Sequence, residues 1–387
     1  MTTAVSTDTE IQPFRIKIPQ DDLDDLRDRL ARTRWPKELP GTGWSDGVPL
    51  GYVKGLVEYW HGTYDWRVHE ARLNEFPQFI TTIDRADIHF IHVRSPEPHA
   101  LPLLMTNGWP SSIVDFMHVI GPLTDPRSHG GDPADAFHVV APSIPGFAFS
   151  RARESGWNLD RVTRAYAELM DRLGYGQYGA HGGDFGSLVS PELGRLHPDR
   201  VVGVHLTGLL TMLATDAAGL AAALTPAEQA RMEEVKRFTR RRRWYAMVQA
   251  TRPQTLAYAL TDSPVGQVTW MVDVFKEITD SEVLEDAIDR DHFLTNVSLY
   301  WLTGTAGSAA LLFKETSRDV RSVGAPSTVP TGMAVFPREP LLPIRALAER
   351  SHTIVHWSEF DRGGHFPAIE VPNLVIDDLR KFFRAYR

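Results

Sequence analysis

The sequence predicts an α/β fold: a mostly parallel sheet, interrupted by a helical insertion and preceded by an irregular N-terminal meander. Three observations predict it. Short β-patterned runs alternate with helical ones from Phe79 to Leu209, as parallel strands joined by crossover helices would. The alternation stops after Leu209, residues 226–313 read as predominantly helical, and strand patterning resumes at Thr331. A glycine-framed aspartate, Gly182-Gly183-Asp184-Phe185-Gly186, falls where a strand should hand over to a helix. The chain divides accordingly into a meander at 1–78 packing on the core, a first core part at 79–210, a helical cap at 211–325 and a second core part at 326–387.

Each element has its own signal. Residues 1–12 are polar and read as a disordered tail. Phe14-Arg15-Ile16-Lys17-Ile18-Pro19 alternates as a short strand and stops at proline. Asp21-Asp22 opens a charged helix over Leu23–Thr33, with Arg29 and Arg32 near its C-terminus, as the helix dipole favours. Helices are expected over Tyr52–Tyr64 and Trp66–Leu73, in a segment too irregular for a core of its own and read as a lid or strap. Phe79–Ile83 and Ile88–Val93 form a hairpin pattern. Leu101–Met105 is a strand leading into Thr106-Asn107-Gly108-Trp109-Pro110 and a helix capped by Ser111 or Ser112. Strand Phe137–Ala141, helix Asp160–Leu173, strand Tyr178–His181, helix Ser187–Leu196 and strand Val201–Leu206 follow. After the insertion come strand Thr331–Val335, helix Ala346–Arg350, strand Thr353–Trp357 and a closing amphipathic helix over Val371–Tyr386.

Composition narrows the function classes. With 387 residues, 42% of them hydrophobic, the chain can build one large domain with an appendage, or two domains. A net charge of −8 gives no reason to expect a nucleic-acid partner. Cysteine is absent, which excludes a disulfide frame, a thiol nucleophile and a Cys-based metal site, and fits a cytoplasmic location. The first ten residues lack the basic start and apolar run of a signal peptide, and no stretch suggests a membrane helix. Assembly as a homodimer is left open.

Gly182-x-Asp184-x-Gly186 has the spacing of a nucleophile elbow, with aspartate where serine is usual. Glycines flank such a position because the turn is sharp and strained. A carboxylate there attacks carbon and forms an ester. The pattern alone fits a glycine-rich turn with a capping Asp equally well, so the flanking signals decide. A helical cap inserted between strands of a doubly wound sheet is the α/β-hydrolase arrangement, whose triad runs nucleophile, acid, histidine. Asp184, Glu339 and His365 occur in that order, each just after an apparent strand. Glu359 and Asp361 are rivals of Glu339. His181 reads as structural, and the run Arg240–Arg243 as a solvated helix face.

From Phe14 to Phe383 the chain resembles epoxide hydrolases of the microsomal type. Phe14–Pro19 and Arg34-Trp35-Pro36 are similar to that family's N-terminal segment, Gly108-Trp109-Pro110 to its His-Gly-x-Pro oxyanion motif, and Gly182–Gly186 to its aspartate elbow. Phe336-Pro337-Arg338-Glu339 and Gly363-Gly364-His365-Phe366 resemble its acid and histidine loops. The resemblance implies Asp184 as nucleophile, His365 as base and Glu339 as its orienting acid. It implies backbone N–H groups of Trp109 and Phe185 as the oxyanion hole, with their side chains lining the pocket. Tyr245 matches the first of two cap tyrosines that hold the epoxide oxygen; Tyr258 and Tyr300 are its substitutes. The implied reaction converts a small apolar epoxide to a diol without a metal or organic cofactor.

Two positions depart from the family pattern. Asn107 replaces the histidine of His-Gly-x-Pro, and Phe313 stands where the second tyrosine is usual. A lost donor of this kind is worth on the order of 3 kcal/mol, roughly a hundredfold in rate. Leu311, Leu312 and Phe313 together read as an apolar wall. Three classes therefore compete: epoxide hydrolysis; another displacement at the same site, such as dehalogenation or a non-hydrolytic epoxide opening or cyclisation; and a non-catalytic binding protein. Phe185 speaks against a dehalogenase, which usually has Trp after its nucleophile, and an intact triad speaks against binding alone.

Overall fold

In the computed structural model, which describes residues 10–209, 224–241, 244–319 and 326–387, ten strands join in one sheet. They are β1 (Gln12–Phe14), β2 (Gln78–Ile83), β3 (Ala86–Val93), β4 (Leu101–Thr106), β5 (Phe137–Pro142), β6 (Arg151–Ala152), β7 (Tyr178–Gly182), β8 (Val201–Leu206), β9 (Pro330–Val335) and β10 (Thr353–Glu359). Their spatial order is β1-β2-β3-β5-β4-β7-β8-β9-β10, with β6 paired to β3. From β5 to β10 every pairing is parallel, while β1, β2 and β3 add an antiparallel edge. This is the α/β-hydrolase fold, and the helices that interrupt it lie between β8 and β9. The tail at 1–9, the boundaries drawn after residues 210 and 325, and Arg242 and Arg243 of the basic run fall outside the described residues.

The N-terminal segment differs from expectation in two ways. Gln12 already pairs with Ile80, yet the strand ends at Phe14 rather than Pro19. Ile16 and Ile18 are buried as their alternation implies. Their N–H groups, however, donate to Asn74 Oδ1 and Glu70 Oε1 of the nearby helical segment instead of to a partner strand. Alternation recorded burial correctly; it could not show that side chains would satisfy the backbone.

The second difference concerns where the meander lies. Strand β1 and the Phe14 ring do lie on the core, against β2, His89 and Phe149, but the helices Gln20–Ala31 and Leu50–Gly62 lie against the insertion helix Pro264–Ile278. Trp60 Nε1 donates to Ser298 Oγ at 3.0 Å and the Tyr64 hydroxyl to Thr295 Oγ1 at 3.1 Å, both on the insertion helix Arg290–Thr303. Tyr59 reaches Asp291 of the same helix. Aromatic rings bury area on the insertion while their polar tips find its hydroxyls and carboxylates.

Glycines shape the opposite face. Gly179, Gly203 and Gly332 sit on the neighbouring strands β7, β8 and β9, beneath the closing helix Pro372–Phe383. A Cβ on Gly179 would strike the Phe383 ring, one on Gly203 would meet Phe382 at 3.1 Å, and one on Gly332 would meet it at 2.7 Å. The track of missing side chains lets two aromatic rings lie directly on the sheet.

Candidate active site

Four loops at the C-terminal ends of β4, β7, β9 and β10 converge on Asp184, where open parallel sheets place their ligands. Asp184 has φ 49°, a left-handed conformation that costs a non-glycine residue about 1–3 kcal/mol. The surrounding glycines make this turn feasible. A Cβ on Gly182 would overlap the Gly186 carbonyl, one on Gly186 the Thr106 carbonyl, and one on Gly108 the Asp184 side chain itself. The helix Gly186–Leu196 leaves directly from the turn.

The carboxylate of Asp184 is held from two sides. Oδ1 accepts the Trp109 N–H at 3.0 Å, and Oδ2 lies 3.2 Å from His365 Nε2. His365 Nδ1 lies 2.7 Å from Glu339 Oε2, and Glu339 Oε1 accepts the Leu341 N–H at 3.1 Å. Burial opposes a charge on His365, but the carboxylates of Glu339 and Asp184 outweigh it and hold the imidazole pKa well above its ordinary value. The rival acids stand elsewhere: Glu359 pairs with Arg231 at 2.6 Å, and Asp361 is exposed beside Arg362.

The aromatic candidates meet on one side of this relay. Tyr245, 8% exposed, stacks on Trp109 with ring centroids 5.4 Å apart. Phe313 stands edge-on to Trp109 at 5.6 Å, to Phe185 at 4.9 Å and to Tyr245 at 6.2 Å. Leu311, Leu312 and Phe313 do not form a common wall, because they follow one another on the helix Ala306–Asp319 and point about 100° apart. The Phe185 N–H makes no hydrogen bond among the described residues, so of the two expected oxyanion donors Trp109 alone already touches the carboxylate.

Sequence reasoning missed the contacts that fix the Trp109 loop. The Tyr300 hydroxyl donates to the Ser111 carbonyl at 2.6 Å and Asn296 Nδ2 to the Pro110 carbonyl at 2.7 Å, both across from the insertion. The Tyr300 hydroxyl is thereby engaged with the Trp109 loop, and Tyr258 is 72% exposed. Also unforeseen was Glu370, which accepts the N–H groups of Phe366 and Asp280 and so ties the histidine loop to the insertion. Burial pushes its carboxyl up to about 7. Tyr300, Asn296 and the Glu370–Asp280 bond join groups remote in sequence, so only pairing in space could have revealed them, whereas the Glu370–Phe366 bond is local. Among the described residues, no group of three or more metal-ligating side chains occurs and no helix is long and apolar enough to cross a membrane.

Fold, inserted helices and an Asp–His–Glu relay at a strained elbow define an α/β-hydrolase-fold enzyme with aspartate in the nucleophile position. Comparison with known families sharpens this. Residues 11–116 match the family model described as "Epoxide hydrolase N terminus", and residues 102–276 match "alpha/beta hydrolase fold". The chain is 44% identical over 384 residues to "Putative epoxide hydrolase" of Stigmatella aurantiaca, covering 97% of this chain and 86% of that one. It is 34% identical over 407 residues to "Epoxide hydrolase 1" of Sus scrofa, covering 98% and 90%. Among solved structures, juvenile hormone epoxide hydrolase from the silkworm Bombyx mori superposes with a TM-score of 0.91 at 27% identity, covering 98% of this chain and 96% of that one. The chain belongs to the epoxide hydrolases of the microsomal type.

Proposed function

We propose that this chain hydrolyses an apolar epoxide to a vicinal diol through an ester on Asp184. The observation that carries the reading is the Asp184–His365–Glu339 relay, with the aspartate presented on a positive-φ elbow. Tyr245 donates a hydrogen bond to the epoxide oxygen. An Asp184 oxygen attacks a ring carbon; the carbon–oxygen bond of the ring breaks, and the new alkoxide takes a proton from the phenol. His365, oriented by Glu339, then removes a proton from water whose oxygen bonds to Cγ of Asp184. The negative charge that gathers on the carbonyl oxygen is stabilised by the N–H groups of Trp109 and Phe185. On collapse the ester carbon–oxygen bond breaks, the His365 imidazolium gives its proton to the leaving alkoxide, the acid proton left on Asp184 returns to the Tyr245 phenolate, and the diol departs.

Trp109, Phe185 and Phe313 supply the apolar surface for the substrate, which suits an aryl or alkyl epoxide. An ordered His365–Glu339 pair favours hydrolysis over a non-hydrolytic opening, because ring opening by Asp184 alone needs no base for water. Oxygen-18 water tests the ester. In a single turnover the first diol should carry an oxygen from the enzyme, with the label retained in Asp184, and Asp184→Asn should abolish turnover while the protein stays folded. Solvent label in the first-turnover diol would show direct attack by water.

A further inference from the structure

A small cavity reaches the catalytic pair from a side other than the aromatic one. Thr106, Asn107, Asp115 and His181 line it together with Asp184 and His365, whereas Trp109, Phe185, Tyr245 and Phe313 do not. It offers about 30 Å³ to the centres of water molecules. At about 10–15 Å³ each, that is room for two waters. Three side-chain oxygens on its wall have no partner among the described residues: Thr106 Oγ1, Asn107 Oδ1 and Asp115 Oδ1. These residues are 0%, 4% and 9% exposed, so bulk solvent does not satisfy them. Buried acceptors are rarely left without donors, and water is the donor that fits so small a space. Asn107 shows how the site is poised, because its Nδ2 already donates to the Gly108 carbonyl at 3.1 Å and leaves Oδ1 to accept.

We propose that this cavity holds the hydrolytic water, with Asp115, Asn107 and Thr106 as its positioning residues. The inference rests on the ester reading above. Once Asp184 is esterified, His365 needs a water beside Nε2 and Cγ that does not have to pass the bound alkyl group. The cavity supplies it from the other side. One water gives a proton to His365 as its oxygen bonds to Cγ, and a second replaces it along the row of acceptors. Burial pushes the Asp115 carboxyl up to about 7, so the acid sits close to neutrality and can accept from or donate to these waters. Asn107, the departure from the family motif, becomes one of the acceptors.

Rapid-quench kinetics on an aryl epoxide separate the two half-reactions and test the assignment. Asp115→Leu fills the cavity and should slow ester hydrolysis at least about tenfold, with the ester accumulating and the alkylation rate within about twofold of wild type. Asp115→Asn keeps an acceptor and should stay within about threefold. Thr106→Val removes one acceptor at constant shape and should slow hydrolysis selectively by about threefold; it carries the test if Asp115→Leu does not fold. Wild-type ester hydrolysis in Asp115→Leu, or equal loss of both steps in Thr106→Val, would overturn the proposal and leave these waters a structural role only. If the ester forms in His365→Gln and the cavity variants behave as wild type, this inference alone fails. If no ester is trapped in any variant, the Asp184 reading fails and takes this one with it.

Discussion

His365 and Phe313 carry the most chemical information per residue. The imidazole lies between two carboxylates, and its raised pKa reflects both. Removing a neighbouring negative charge destabilises the cation, so Asp184→Asn should lower the His365 pKa relative to wild type. Ring-proton NMR against pH measures this directly; an unchanged titration would mean that Glu339 alone sets the value. Ester formation neutralises Asp184 in the same way, so the imidazolium gives up its proton more readily and His365 enters the hydrolytic step as the neutral base. Phe313 poses a different question. Its ring sits 6.2 Å from that of Tyr245 and is only partly buried, which is compatible with a pair of phenols at one oxygen. Phe313→Tyr should therefore raise the alkylation rate, by up to about a hundredfold if the new hydroxyl meets the epoxide oxygen. A uniform fall across a panel of epoxides would show instead that the position is apolar for the sake of the substrate.

Among the secondary-structure elements, the closing helix is joined to the sheet by a buried charge cluster as well as by its two phenylalanines. Asp378 receives His205 Nε2 of β8 at 3.0 Å, His356 Nε2 of β10 at 2.8 Å and Ser358 Oγ at 2.6 Å. Burial alone would raise the Asp378 pKa, but the hydrogen bonds from His205 and His356 prevail and hold it well below the usual carboxylate range. A depressed folded pKa contributes stability that is present above the unfolded value near 4 and is lost as pH falls toward the folded one. Asp378→Asn should thus cost about 3–5 kcal/mol at pH 7. The deficit should shrink by about 1.4 kcal/mol per pH unit below about 4. Urea unfolding at pH 7 and pH 3 reads both quantities, and an identical deficit at the two pH values would rule out the charge as its source. The same cluster accounts for His181, whose Nδ1 lies 3.0 Å from His205 Nδ1 and whose pKa burial keeps well below ordinary.

At the scale of the whole molecule, the insertion is gripped from two directions. The N-terminal helices hold it through Trp60 and Tyr64, and the core loops hold it through Tyr300, Asn296 and Glu370. The sheet, the insertion between β8 and β9, and the order Asp184, Glu339, His365 were legible in the chain because they follow from local rules. Strand and helix periods show in short windows, and an elbow needs glycines at fixed offsets from its nucleophile. Glu339 against Glu359, and Tyr245 against Tyr258 and Tyr300, were not separable by such rules, because spacing says nothing about which of two nearby strand-end or helical residues faces the histidine or the substrate. Tertiary structure puts Glu339 on His365 and Glu359 on Arg231, and sets Tyr245 against Trp109 and Phe313 while Tyr258 is exposed. It also turned Ile16 and Ile18 from a strand into a strap bound by side chains, dispersed the supposed wall at 311–313 around a helix, and gathered beside the nucleophile three oxygens that have no partner among the described residues. The spread at 311–313 is local helix geometry, but the other choices share one physical reason: hydrogen-bond satisfaction and side-chain direction depend on groups tens to hundreds of residues away, and only folding brings them within reach.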